Sequence, residues 1–243
     1  MSPPPSPTPP LAEPLYQTLL FDLDDTLIDF KASESSALAR VYENFYKTFV
    51  HTEAFHSHFH TINQSLWKAV EGAQLHVGHL RLKRFQMLSE TLGASLEAEA
   101  VAAFYEHLLG TTASWFPQTQ ETLSQLGGQY SLGIVTNGLT LIQRAKYQHL
   151  ALGQWFKSFV VSEEVALSKP RKEIFDIALT QLGADPARTL MVGDSLSSDY
   201  AGAMNAGLDF CWINPKRLPL PAHLPSPRFT VQSVAELPAL LES

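Results

Sequence analysis

The chain has 243 residues, 45% of them hydrophobic and 17% charged, with a formal net charge of −7. That balance is globular and long enough for one sizeable core, or for a core with a smaller inserted unit. An acidic chain without a basic cluster excludes general attraction to polymeric nucleic acid or to an anionic membrane. An anionic substrate must therefore be drawn by a bound cation and a few placed basic groups.

In chain order, the Pro-rich segment 1–14 reads as a disordered tail without the basic start and apolar core of a signal peptide. No apolar run reaches bilayer length, and the single Cys211 reads as a small buried hydrophobe, so the expected location is the cytoplasm. Thr18–Phe21 reads as a buried strand that ends in Asp22-Leu23-Asp24-Asp25-Thr26. From Lys31 to Leu109 Pro is absent, and apolar residues recur at three- and four-residue spacing (Leu38, Val41, Phe45, Phe49; then Leu80, Leu82, Phe85, Leu88, Leu92). This predicts about four amphipathic helices with no strand between them, and Phe45, Phe49, Phe55 and Phe59 are expected in their core.

After Trp115-Phe116-Pro117 the pattern alternates. Helices are predicted near Gln118–Leu126, Leu139–Leu150, Lys172–Leu182 and Ser197–Ala206. Strands are predicted at Leu132–Val135, Ser158–Val161, Leu190–Val192, Phe210–Ile213 and Phe229–Val231. Helices alternating with short apolar strands indicate an α/β, doubly wound parallel sheet. The expected organisation is a core of residues 15–28 and 112–243, interrupted by an all-helical insertion over 29–111. In such sheets ligands bind beyond the C-terminal strand ends.

Those ends carry the polar residues: Asp22 and Asp24; Thr136-Asn137-Gly138; Ser168-Lys169-Pro170; and Gly193-Asp194-Ser195 with Asp199. Two carboxylates about 5 Å apart repel by roughly 3 kcal/mol at an effective dielectric near 20. A cluster of them needs a lysine or a cation, and an oxygen-only set with few carboxylates favours Mg²⁺. Each piece also has a plainer reading. Thr136-Asn137-Gly138 is a turn signal, Lys169 is a surface lysine, Asp194 and Asp199 are helix-start acids, and Asp25 is structural or a local cap. His56 and His60 share a helix face, for which a polar surface is the plainer reading than a metal site.

All four motifs, in this order, resemble those of the haloacid dehalogenase superfamily, over about Leu19 to Leu241. The resemblance implies a Mg²⁺-dependent phosphatase in which Asp22 is the nucleophile and Asp24 the general acid and base. It also implies that Thr136, Asn137 and Lys169 bind phosphate, while Asp22, Asp24 (through its carbonyl), Asp194 and Asp199 serve the metal. An acid at Asp24 disfavours the dehalogenase branch. The insertion resembles a cap, and Asp29-Phe30, Leu66-Trp67, Gly72 and Arg84-Phe85 resemble bacterial pyrimidine 5′-nucleotidases. Phe30 and Arg84 are the expected cap contacts or supports. The expected partner is a small phosphorylated metabolite, a nucleoside monophosphate first, on a monomer or homodimer. A phosphoglycolate or sugar-phosphate phosphatase, a phosphosugar mutase and a silent binding module are the alternatives.

Overall fold

The structure, a computed structural model, describes residues 15–242; the segment 1–14 lies outside them. Six parallel strands form one sheet: β1 (Thr18–Phe21), β2 (Ser131–Thr136), β3 (Phe156–Val161), β4 (Thr189–Gly193), β5 (Asp209–Ile213) and β6 (Phe229–Val231). Their spatial order is β3-β2-β1-β4-β5-β6, so the chain winds outward from β1 on one side and then crosses to the other. Alternate residues feed two cores, as the two-residue period of a strand requires. Leu19, Phe21, Leu190, Val192 and Cys211 join one cluster, while Leu20, Met191, Phe210 and Trp212 join the other.

Between β1 and β2 lie α1 (Phe30–Val41), α2 (Thr52–Glu71), α3 (Val77–Leu92), α4 (Ala98–Thr111) and α5 (Thr119–Gly127). The first four bury a third cluster that includes Leu38, Phe55, Phe59, Leu80, Phe85 and Tyr105. That cluster also takes in Leu139 and Ile142, so the helical layer is sealed against the helix that follows β2. The core helices are α6 (Thr140–His149), α7 (Ser162–Val165), α8 (Lys172–Leu182), α9 (Ala201–Ala206) and α10 (Leu237–Leu241). No helix of the described residues is long and apolar enough to cross a membrane.

Two expectations need correction. Phe49 is 46% exposed, not in the core, because α1 runs into a π-helical turn over Tyr42–Tyr46. A π turn holds an extra residue and rotates the following face. Tyr46 is buried in its place and bonds Ser89 Oγ at 2.9 Å. The helix expected from Ser197 likewise opens with a π turn, Leu196–Tyr200, capped by Ser195 rather than by Asp194.

Candidate active site

The sheet order explains why distant acids meet. β1 sits between β2 and β4, with Phe21 in register with Ile134 and Val192. The next residue, Asp22, donates its backbone N–H to Val192 O at 2.9 Å and so stands at the mouth between both neighbours. Asp194 and Asp199 come from the end of β4. Carboxylate oxygens of Asp22, Asp194 and Asp199 all lie within 4.8 Å of one another.

Lys169 reaches this cluster from beyond β3. Its backbone is clasped by the Asn137 side chain, which accepts from Lys169 N at 2.8 Å and donates to Lys169 O at 3.0 Å. Its Nζ donates to Asp22 Oδ1 at 2.6 Å and to Val135 O at 2.8 Å, and pairs with Asp199 Oδ1 at 2.7 Å. Lys169 and Asp199 are fully buried, so Lys169 is not the surface residue of the plainer reading, while Asp199 does sit in the first turn of the helical segment Leu196–Tyr200. The Asn137 side chain is thus spent on the Lys169 backbone.

Gly193 is needed for space rather than for the tight turn a glycine suggests. A Cβ there would lie against the Asp199 carboxylate, and Gly193 is not among the glycines with positive φ. The carboxylate in turn accepts from Ser195 N at 3.0 Å through Oδ2.

Burial sets the electrostatics. It pushes Asp22 well above the usual carboxylate range; Lys169 opposes the shift, while Asp199 and Asp194 add to it. Burial, then Asp199 and Asp25, push Asp194 up to about 7. For Lys169 burial alone favours the neutral amine, but attraction from Asp199 and Asp22 outweighs it and holds the ammonium above the usual lysine range. Three carboxylates thus share one buried ammonium. The surplus negative charge and the all-oxygen donor set fit a divalent cation, with Asp22, Asp194 and Asp199 able to hold Mg²⁺.

Asp24 faces away from this cluster. Its carboxylate accepts from Lys146 Nζ at 2.6 and 2.9 Å and from Gln143 Nε2 at 3.0 Å. The same Gln143 amide donates to Thr136 Oγ1 at 2.7 Å. Neither Gln143 nor Lys146 stands out in the sequence. The available signal was their position, three residues apart on the inward face of α6, next to the buried Ile142.

A narrow crevice leads from Asp24 into the helical layer. Phe30, Trp67, Leu109, Leu139 and Ile142 supply its apolar wall, and Glu34, Asn63 and Arg84 its polar one. Phe30 therefore does line the site, and its ring also lies 4.8 Å from Lys146 Nζ. Arg84 is buried, with its guanidinium 5.2 Å from the Tyr105 ring centre and Nη1 donating to Asn63 Oδ1 at 3.3 Å. Its Nε is buried without a hydrogen-bond partner. Asp25 bonds locally, accepting from Lys31 N at 3.2 Å and Lys31 Nζ at 2.5 Å, while the N-cap of α1 is Asp29. The His56 and His60 rings stack 6.3 Å apart; among the described residues the carboxylate trio is the metal-capable cluster of three.

The family model described as haloacid dehalogenase-like hydrolase matches residues 19–213. The HAD-hydrolase YfnB of Bacillus subtilis is 33% identical over 91% of this chain and 94% of its own length. A magnesium-bound crystal structure of YfnB superposes with a TM-score of 0.82, covering 94% of this chain and 99% of that one. The pyrimidine 5′-nucleotidase YjjG of Escherichia coli is 33% identical over 93% of this chain and 98% of its own length. For the pyrimidine 5′-nucleotidase PynA of Streptococcus pneumoniae the identity is 31%, over 84% of this chain and 86% of that protein. With the family match spanning most of the sheet and relatives aligned along nearly their whole length, the chain belongs to the haloacid dehalogenase-like hydrolases.

Proposed function

We propose that the protein is a Mg²⁺-dependent phosphomonoester hydrolase that acts through an aspartyl-phosphate on Asp22, with nucleoside 5′-monophosphates as its substrate class. The observation that carries the reading is the division of labour between two acids two residues apart. Asp22 lies in the buried trio with Lys169, and Asp24 faces the crevice.

In the first step an Asp22 oxygen attacks phosphorus in line. The P–O ester bond breaks, its electron pair stays with the leaving oxygen, and a proton from Asp24 neutralises it. In the second step Asp24 takes a proton from water, whose oxygen attacks phosphorus. The bond to Asp22 then breaks and returns the carboxylate and inorganic phosphate. Lys169 and Thr136 sit where they offset charge on the phosphoryl oxygens. Mg²⁺ on Asp22, Asp194 and Asp199, with the Asp24 carbonyl, would supply charge neutralisation at the phosphoryl group.

The helical unit of residues 29–111 acts in this reading as a cap that contacts the leaving group. The aromatic and aliphatic wall of Phe30, Trp67, Leu109, Leu139 and Ile142 suits a flat base. A Glu34 carboxylate in the same crevice disfavours a small phosphorylated acid such as phosphoglycolate. Two relatives named as pyrimidine 5′-nucleotidases support the same choice.

The test is phosphate release from nucleoside monophosphates, phosphoglycolate and sugar phosphates, with Mg²⁺ or EDTA. Mg²⁺-dependent release, greatest with a nucleotide and lost by at least ~10⁴-fold in Asp22→Asn, is the expected result. Undiminished release by Asp22→Asn would sink the mechanism, and a preference for phosphoglycolate would sink the substrate class.

A further inference from the structure

We infer that Lys146 and Gln143 are positioning residues that fix the Asp24 carboxylate relative to the phosphate-binding end of the site. The inference rests on the proposed role of Asp24 as proton donor and goes beyond it by assigning a device that α6 provides.

Asp24 lies on a loop rather than on the strand. The next residue, Asp25, takes a left-handed backbone with φ 61°. Nothing local fixes where the Asp24 side chain points, and about a quarter of it remains exposed to the crevice. Two donors from α6 close on it. Lys146 Nζ spans both carboxylate oxygens at 2.6 and 2.9 Å, and Gln143 Nε2 adds a third bond to Oδ2 at 3.0 Å. A planar carboxylate held at both oxygens has no free rotation left.

The Gln143 amide has a second task. It donates to Thr136 Oγ1 at 2.7 Å, so one rigid group ties the acid to the hydroxyl at the end of β2. The amide cannot be flipped, because its oxygen would then oppose the Asp24 carboxylate. Gly138 makes room for it, since a Cβ at Gly138 would come within 2.7 Å of Gln143 Cγ.

Lys146 is 1% exposed while its partner opens onto the crevice, and both α6 residues line that crevice. The Phe30 ring at 4.8 Å covers the ammonium, keeping water off it and leaving its donors to Asp24. Correct geometry between acid and leaving oxygen matters most when the leaving group is a poor one.

The experiment compares Lys146→Met, Lys146→Arg and Gln143→Met with the native enzyme on two esters, in Mg²⁺. One is a nucleoside 5′-monophosphate, whose alkoxide needs a proton. The other is p-nitrophenyl phosphate, whose phenolate does not, read as the first-turnover burst of p-nitrophenol. Lys146→Met is expected to lower kcat for the nucleotide by about 100-fold, with KM within about threefold and the burst rate within about fivefold. Gln143→Met should show the same split at about 10-fold, and Lys146→Arg, which keeps a cation, should stay within about 10-fold of the native enzyme on both esters.

Equal losses on both esters, a raised KM with unchanged kcat, or no loss at all would each overturn the inference. If Lys146→Met does not fold, by circular dichroism and melting, the Gln143→Met split decides alone. Absence of Mg²⁺-dependent release by the native enzyme refutes the parent reading instead, so the two failures are distinct.

Discussion

The phosphate end and the leaving-group end of the site are built on opposite plans. At the phosphate end the strand termini, the Asn137 clasp and the Lys169 bonds leave little freedom, and the charges are packed until they need a cation. At the other end five helices line a narrow crevice, and two buried polar atoms, Arg84 Nε and Gln143 Oε1, have no hydrogen-bond partner. A buried polar atom without a partner costs roughly 1–3 kcal/mol, which a ligand can return. In the proposed function the chemistry is thus held by the sheet, while substrate choice is left to side chains that a ligand completes.

Lys169 is where the phosphate end has most to lose. Lys169→Met leaves Asp22 and Asp199 facing each other without their ammonium. Loss of a buried partner costs about 3–5 kcal/mol, so release should fall by at least ~10³-fold and the melting temperature with it. Thermal melting beside the activity assay checks both. A variant that melts normally and stays active would show the phosphate end to be far less constrained than described.

Metal and pH sharpen the same point. The folded protein holds a proton on Asp194 up to about 7, whereas an unfolded carboxylate loses it near pH ~3.9. Metal-free stability from this group is therefore full below about pH 4 and is lost as pH rises through about 7. Mg²⁺ needs the ionised form, so its stabilising shift should grow across that window. Differential scanning fluorimetry with Mg²⁺ or EDTA should show a shift of several degrees at pH 7.5 and little at pH 5. An equal shift at both values would contradict the assignment of Asp194 to the metal.

At the leaving-group end effects should be milder and should fall on binding. Arg84→Met keeps a stem against Tyr105 and Phe85 but removes the unpartnered donor. KM for a nucleotide is expected to rise about 10-fold, with turnover of p-nitrophenyl phosphate unchanged. A large kcat loss on both esters would place Arg84 in the chemistry. Least of all is Phe49→Ser, at an exposed position, which should change stability by no more than about 0.5 kcal/mol in a urea titration.

The strands and the carboxylates were legible because they follow simple rules. Thr18–Phe21 is a short apolar run that stops at an acid, and α8 begins and ends at the residues its period predicts. What escaped was geometry that a linear pattern does not carry. Phe49 follows the apolar spacing, yet the π turn at Tyr42–Tyr46 rotates it outward. Lys146 looks like any lysine in an amphipathic helix, and only the fold brings it 122 positions back in sequence to Asp24. The reason for Gly193 was also hidden, since the carboxylate that fills its missing Cβ comes from six residues further on.

In the proposed mechanism Asp22 carries the phosphoryl group while Asp24 handles protons. That division is tested most directly by giving Asp24→Asn a stoichiometric excess of p-nitrophenyl phosphate in Mg²⁺, quenching in acid and mapping the peptides by mass spectrometry. The leaving phenolate needs no proton, but the water of the second step has lost its base. One p-nitrophenol per enzyme and a phosphoryl group retained on Asp22 are expected. Continuous turnover, or p-nitrophenol released with no phosphoryl group on Asp22, would contradict it.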